Sequence, residues 1–219
     1  MTDLASIAAH ARAILDEVEK PETTAGQKVI GVPDFPHQIT VKVAQEIVEH
    51  EAIVQEAYLD SKNVWTWGVG VTNKSGHRVE RYKDNPASIE RCIEIYVWLL
   101  RTEYAPDVLA EFQGHDLAEH QFAAALSFHW NTGAIRQASW CDSWKAGNIA
   151  QAEQEFMNWR KPPEIIERRT KEQRLFFHGE WAQDGMAPVI PVRKPSYKPD
   201  WGKMRQVDIR EELKKALEK

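Results

Sequence analysis

Eight residues, Val64-Trp65-Thr66-Trp67-Gly68-Val69-Gly70-Val71, constrain the fold of this chain more than any others. They are β-branched and aromatic and read as strand, yet the segments on either side carry helical spacing. Turn signals bound them, Ser61-Lys62-Asn63 before and Asn73-Lys74-Ser75-Gly76 after. Ala57-Tyr58-Leu59 is short and apolar and is expected to pair from one side, while His77 to Tyr82 is expected to return as a third strand. One antiparallel patch embedded in helices implies an α+β protein, with a small sheet lobe beside a larger helical lobe. A cleft between two such lobes suits a polymeric substrate.

The helices follow from periodicity and caps. Thr40 is a fair N-cap, and Val43, Ala44, Ile47 and Val48 give an apolar stripe to about residue 50. Asn85 is expected to cap and Pro86 to open a helix buried through Ile89, Cys92, Ile93, Tyr96, Val97 and Leu100. Pro106 starts a new segment to about Phe112. Leu117 to Trp130 is apolar in its second half and reads as the central helix of the helical lobe, stopped by Asn131-Thr132-Gly133. Trp98, Trp130 and Trp159 sit at helical spacing and read as core. Further helices fit 137–146, 149–159 and 164–178. The sheet lobe then spans about 52–84 and the helical lobe about 86–182, within a domain of residues 39–187.

The two ends read differently. Residues 1–38 suggest a short amphipathic helix and then a linker broken by Pro21, Gly26, Gly31, Pro33 and Pro36. Residues 188–219 read as a linker carrying Pro188, Pro191, Pro195 and Pro199, followed by a charged helix from Asp208 to Lys219. Ile209, Leu213 and Leu217 give that helix a thin apolar stripe that could dock on a partner or on the protein's own surface. Both ends are expected to be dispensable for the chemistry, so that residues 37–187 suffice for it.

Composition removes several classes of function. A net charge of −5 gives no sign of nucleic-acid binding. No stretch approaches the roughly 18 apolar residues of a membrane span. Asp3, His10, Arg12 and Asp16 interrupt the N-terminal apolar positions, so no signal peptide is inferred and synthesis in the cytoplasm is expected. Two cysteines, Cys92 and Cys141, make no disulfide framework and read as buried free thiols. The eight histidines are scattered, with no HExxH and no CxxC, so neither a metal nor another cofactor is expected. Gly68-Val69-Gly70 lacks the third glycine and the following helix of a phosphate loop.

What remains is a pair of carboxylates. Glu51 lies at the end of the helix that starts near Thr40, Asp60 nine positions later where the first strand ends, and Thr66 six beyond that on the next strand. A helix end facing a hairpin can hold two carboxyls across a gap. At about 6.5–9.5 Å apart they leave room for a water and suit inverting glycoside hydrolysis, one donating a proton and the other activating the water. An isolated Glu-x8-Asp pair is more often two solvated carboxylates, so the surroundings decide.

Those surroundings resemble the phage-type lysozymes, glycoside hydrolase family 24. Glu51-x8-Asp60-x5-Thr66 matches the family's catalytic spacing, Tyr58-Leu59-Asp60 its Y-x-D, and Thr66-Trp67-Gly68-Val69-Gly70 its T-I-G-x-G. Gln121 to Gly133 is similar to its Q-x-D-A-L-x-S-F-x-x-N-x-G helix, and Ile165 to Glu172 to its L-x-x-R-R-x-x-E segment. The likeness runs from about Ile39 to Trp181. It implies a lysozyme-like fold and a muramidase that cuts the β-1,4 bond between N-acetylmuramic acid and N-acetylglucosamine in peptidoglycan without a cofactor. Glu51 would be the general acid, Asp60 and Thr66 would hold the attacking water, and one arginine of the Arg168-Arg169 pair, with Arg169 the favoured one, would approach Glu51. Tyr58 would support the site. Asn131 would either terminate its helix or bind an acetamido sugar. The expected setting is a monomeric phage or prophage endolysin, made in the host cytoplasm and acting on the periplasmic wall after holin-dependent release, or a muramidase docked on a phage particle. A chitinase on the same scaffold and a catalytically silent wall-binding or particle protein are the competing expectations. The chain departs from the family pattern at Ala52 (usually Gly), Val71 (usually His) and Ala123 (usually Asp).

Overall fold

The computed structural model describes residues 39–182 and 184–219, and the helix and linker expected within residues 1–38 lie outside them. Helix α1 (Val41–Glu49) is capped by extended Thr40, whose hydroxyl accepts the Val43 amide at 3.1 Å. Its stripe of Val43, Ala44, Ile47 and Val48 is fully buried.

Strands β1 (Val54–Leu59), β2 (Trp65–Gly68) and β3 (Val71–Thr72) form an antiparallel sheet in that order. The run from Val64 to Val71 is therefore two strands and a turn. Gly68 (φ 62°) and Gly70 (φ 76°) occupy the left-handed region, and the chain reverses so that Trp67 pairs with Val71 and Thr66 with Thr72. This hairpin takes the edge position expected for His77–Tyr82. That segment ends instead in a 3-10 turn, Val79–Tyr82, and covers the sheet with its rings. Tyr82 stacks on Trp67 at 3.8 Å, and His77 lies 5.6 Å from the same indole.

Helix α2 (Ile89–Leu99) begins at Ser88 rather than Asn85, because the Ser88 hydroxyl accepts the Arg91 amide at 3.2 Å. It continues through a π turn, Leu100–Tyr104, into α3 (Ala105–Glu111) with no break at Pro106. Proline has no N–H to donate, and the wide turn before it lets the Ala105 amide reach the Leu100 carbonyl five residues back. Helix α4 (Glu119–Thr132) is buried on every side from Phe122 to His129, as a central helix must be, and ends at Gly133 (φ 64°). Helices α5 (Ser139–Lys145), α6 (Ile149–Phe156) and α7 (Ile166–His178) complete the helical lobe. At its centre Trp140 is fully buried, with Phe128, Phe156 and Phe176 at 4.7–5.4 Å between ring centres. Cys92 and Cys141 are buried and free, and burial pushes the Cys92 thiol up to about 12.

Residues 186–219 depart furthest from expectation. Strand β4 (Met186–Val189) pairs antiparallel with β7 (Arg205–Asp208), and β5 (Val192–Arg193) with β6 (Lys198–Pro199). Pro188 and Pro199 sit in two-stranded ribbons, and Pro188 meets Ile53 on the side away from β7 through its carbonyl alone, so the missing N–H does no harm. Helix α8 (Arg210–Leu217) packs on α2 and α1, and Ile209, Leu213 and Ala216 enter the common core. Arg101 donates to the Leu217 carbonyl at 2.5 Å. The Ile53 amide donates to the Pro188 carbonyl at 2.8 Å, and the Ile190 amide to the Ile53 carbonyl at 3.0 Å. The segment expected as linker and helix is folded onto the domain, its apolar stripe docked on the protein's own surface, and it covers the outer edge of β1.

Candidate active site

Glu51 leaves the end of α1 with its amide bonded to the Val48 carbonyl at 2.9 Å. The β2–β3 turn passes directly over its carboxyl. A Cβ at Gly70 would lie 3.6 Å from Glu51 Oε2 and 3.9 Å from Trp130 Nε1, so a side chain at this left-handed position would both strain the turn and fill the space beside the acid.

The arginine that meets Glu51 is Arg168, with Nη1 2.5 Å from Oε1, and not Arg169 as expected. Neighbouring helix positions point about 100° apart, so only one of the pair can face the acid. Arg168 also donates to Glu172 Oε1 at 2.8 Å and to the Ser127 carbonyl at 3.2 Å. Burial works against its charge, but Glu51 and Glu172 outweigh that and hold the guanidinium protonated more firmly than usual. Arg169 turns into the helical lobe and is fully buried. It pairs with Glu172, donates to the Trp159 carbonyl at 3.2 Å and lies over the Phe128 ring at 4.5 Å. Burial outweighs Glu172 here and lowers its pKa. Its Nη2 donates to Asn131 Oδ1 at 2.7 Å, so Arg169 fixes Asn131 rather than Glu51.

On the sheet side, strand alternation puts Tyr58 and Asp60 on one face, and Thr66 is the cross-strand partner of Tyr58. Asp60 closes the β1–β2 turn on itself: its Oδ1 accepts the Lys62 and Val64 amides, both at 2.8 Å. The Thr66 hydroxyl donates to the Val64 carbonyl at 3.2 Å. Asp60 and Thr66 therefore grip the same residue from its two peptide groups. Tyr58 links this face to the acid. Its hydroxyl pKa is raised first by burial and then by the carboxylates of Glu51 and Asp60 together. Tyr96 and Tyr104, both raised mainly by burial, also feel Glu51.

Trp130, Tyr96 and Tyr104 are the site neighbours that sequence reasoning missed. Trp130 reads as core but lies beside Gly70 and Glu51, edge-on to Tyr96 at 5.1 Å and 4.5 Å from Tyr104. Its place directly before Asn131, one helical turn after Ser127, was the available signal. Trp65 and Trp67 face away from Thr66 as alternation requires: Trp67 packs on Tyr82, and Trp65 meets Tyr197 edge-on at 5.4 Å. Val71, where the family pattern has histidine, is buried in the core.

A family model described as phage lysozyme matches residues 48–172, more than half of the chain. The chain belongs to the phage lysozyme family. This lysozyme is accordingly a glycoside hydrolase with peptidoglycan as its substrate. Among solved structures it is similar to an endolysin from the Escherichia coli O157:H7 phage FAHEc1, at 19% identity and a TM-score of 0.57, covering 67% of this chain and 97% of that one. A lysozyme of phage P22 matches at 25% identity and 0.53, covering 64% and 97%. The muramidase domain of SpmX from Asticaccaulis excentricus matches at 22% and 0.53, with the same coverage. No curated protein matches. The family model stops fourteen residues before β4 begins, so the lysozyme's C-terminal strands and helix lie beyond it.

Proposed function

We propose that this chain is an endo-acting muramidase that hydrolyses the β-1,4 bond between N-acetylmuramic acid and N-acetylglucosamine with inversion, as the endolysin of a phage or prophage. The observation that carries this reading is the Glu51–Arg168 pair set against the face bearing Tyr58, Asp60 and Thr66. Glu51 is the general acid. As it protonates the leaving oxygen it gains negative charge, and the firmly protonated Arg168 at 2.5 Å stabilises that charge as it forms. Asp60 and Thr66 hold and orient the attacking water. Two features support their role: both are tied to Val64, and Tyr58 senses Asp60 and Glu51 at once. Asn131, with its Oδ1 fixed by Arg169, has its amide N–H groups left for an acetamido carbonyl of the substrate.

The test is a digest of purified peptidoglycan. Mass spectrometry of the products should show reducing N-acetylmuramic acid ends, and NMR of fresh product the inverted anomer. Anhydro ends would mean a lytic transglycosylase, and activity on chitin alone a different glycanase. Glu51→Gln keeps the shape and the Arg168 contact but has no proton to donate, so the folded variant should not clear permeabilised cells. Normal clearing would remove Glu51 from the mechanism.

A further inference from the structure

The residues that follow the family's segment reach back to the catalytic hairpin. The Leu59 amide donates to the Tyr197 carbonyl at 2.7 Å, joining the last residue of β1 to the turn between β5 and β6. Lys198 Nζ donates to the Asp60 carbonyl at 2.8 Å and to Asn63 Oδ1 at 2.8 Å. The same Asp60 carbonyl accepts the Asn63 amide at 3.0 Å, which fills both its lone pairs, and the Asp60 amide donates to the Val64 carbonyl at 3.0 Å. Asn63 itself stands in the left-handed region (φ 58°), a conformation its neighbours must hold. The ribbon that delivers Lys198 is anchored elsewhere: the Tyr197 hydroxyl donates to Asp84 at 2.8 Å, Lys194 pairs with Glu56 and Asp84, and Tyr197 packs on Trp65.

We propose that Lys198 is a positioning residue for Asp60, a brace on the turn that carries it. This rests on the reading that Asp60 holds the attacking water. A five-residue turn with a left-handed residue and one exposed side has several conformations of similar energy. A charged donor shared between the Asp60 carbonyl and the Asn63 side chain selects one, since charge-assisted hydrogen bonds are about twice as strong as neutral ones. Placement matters because a displacement of about 1 Å in a reacting group can cost roughly 100-fold in rate.

The experiment compares full-length variants on soluble peptidoglycan fragments. Lys198→Met keeps the stem and removes the donors and the charge. It should lower kcat about 10- to 100-fold with KM within about threefold, and Lys198→Arg should recover most of the loss. Lys194→Met, which loosens the ribbon without touching the Asp60 turn, serves as the comparison for general loosening. Lys198→Leu, which also removes the donors and the charge, gives the same reading if the methionine variant folds poorly. In an Asp60→Asn background, Lys198→Met should add no further loss, because it acts through Asp60. Unchanged kcat in Lys198→Met beside an inactive Asp60→Asn overturns the proposal and leaves the role of Asp60 standing. An equal loss of kcat in Lys194→Met and Lys198→Met also overturns it, because the effect is then general loosening. Normal activity of Asp60→Asn overturns the water-holding reading itself, and the brace falls with it.

Discussion

At the residue scale, the site is a set of fixed charges around one acid. Arg168 is tied to Glu51, Glu172 and the Ser127 carbonyl, and the Ser127 hydroxyl donates to Glu172 at 2.6 Å. Glu172 is almost wholly buried and answers both arginines, while Glu51 pairs with Arg168, so removing Arg168 leaves the cluster one carboxylate short of a counter-charge. Arg168→Met should therefore lower stability by roughly 3–5 kcal/mol, the range for breaking a buried pair, and lower kcat as well. Urea unfolding against turnover on peptidoglycan separates the two effects. A stable, fully active Arg168→Met would show that the network is ornamental to both. At the same scale, Asp60→Asn keeps an oxygen to accept the Lys62 and Val64 amides, so it should preserve the turn and stability while lowering kcat far more than KM.

At the element scale, the C-terminal segment is part of the domain's core. Ile209 and Leu213 are fully buried between α8 and the helices it packs on. Leu213→Ala should cost about 2–5 kcal/mol, which denaturant unfolding would measure. A chain ended at residue 185 loses those side chains and the β1 cover together, and it should show a weakened or absent cooperative transition by circular dichroism. A fully folded, fully active truncation would restore the reading of residues 188–219 as a tether. The prolines and charges of this segment suggest a linker because strand pairing is non-local. Pro188 and Pro199 look like breakers in sequence, and only their position in two-stranded ribbons makes them tolerable. The π turn before Pro106 is a similar case: the proline reads as a break, and the wide turn lets the helix pass through it.

At the scale of the whole molecule, buried histidines set the acid limit. His77 is fully buried against Trp67 and Tyr82, and its pKa falls to about 4, by burial first and then by Arg81 and Arg91. His50 falls to about 4 as well, by burial and then Arg168. In the unfolded chain these groups take up a proton near pH 6.5, and in the folded one only near 4. The share of stability these two histidines contribute is therefore complete above pH 6.5, declines as pH falls towards 4, and levels below it. At 1.36 kcal/mol per pKa unit, His77 accounts for about 3 kcal/mol of that decline. Unfolding of His77→Phe followed from pH 7 to 4 should show a shallower slope than the parent, and an identical slope would remove His77 from the acid response.

The sequence by itself determined what is local: the cap at Thr40, the stripe of α1, the stop at Gly133, the turn at Ser61-Lys62-Asn63 and the strand that carries Thr66. These follow from spacing and turn chemistry acting within a few residues, and the family motifs were legible for the same reason. Only the tertiary structure decided which of Arg168 and Arg169 meets the acid, because adjacent helix positions look alike in sequence and differ only in which neighbour they face. It also decided that Gly68 and Gly70 split one apparent strand into a hairpin over Glu51, and that Trp130 borders the site. Finally, it brought Lys198 to Asp60 across 138 positions. That contact depends on β5, β6 and α8 finding their places against β1 and α2, and such long-range pairing leaves no periodic trace in the residues that make it.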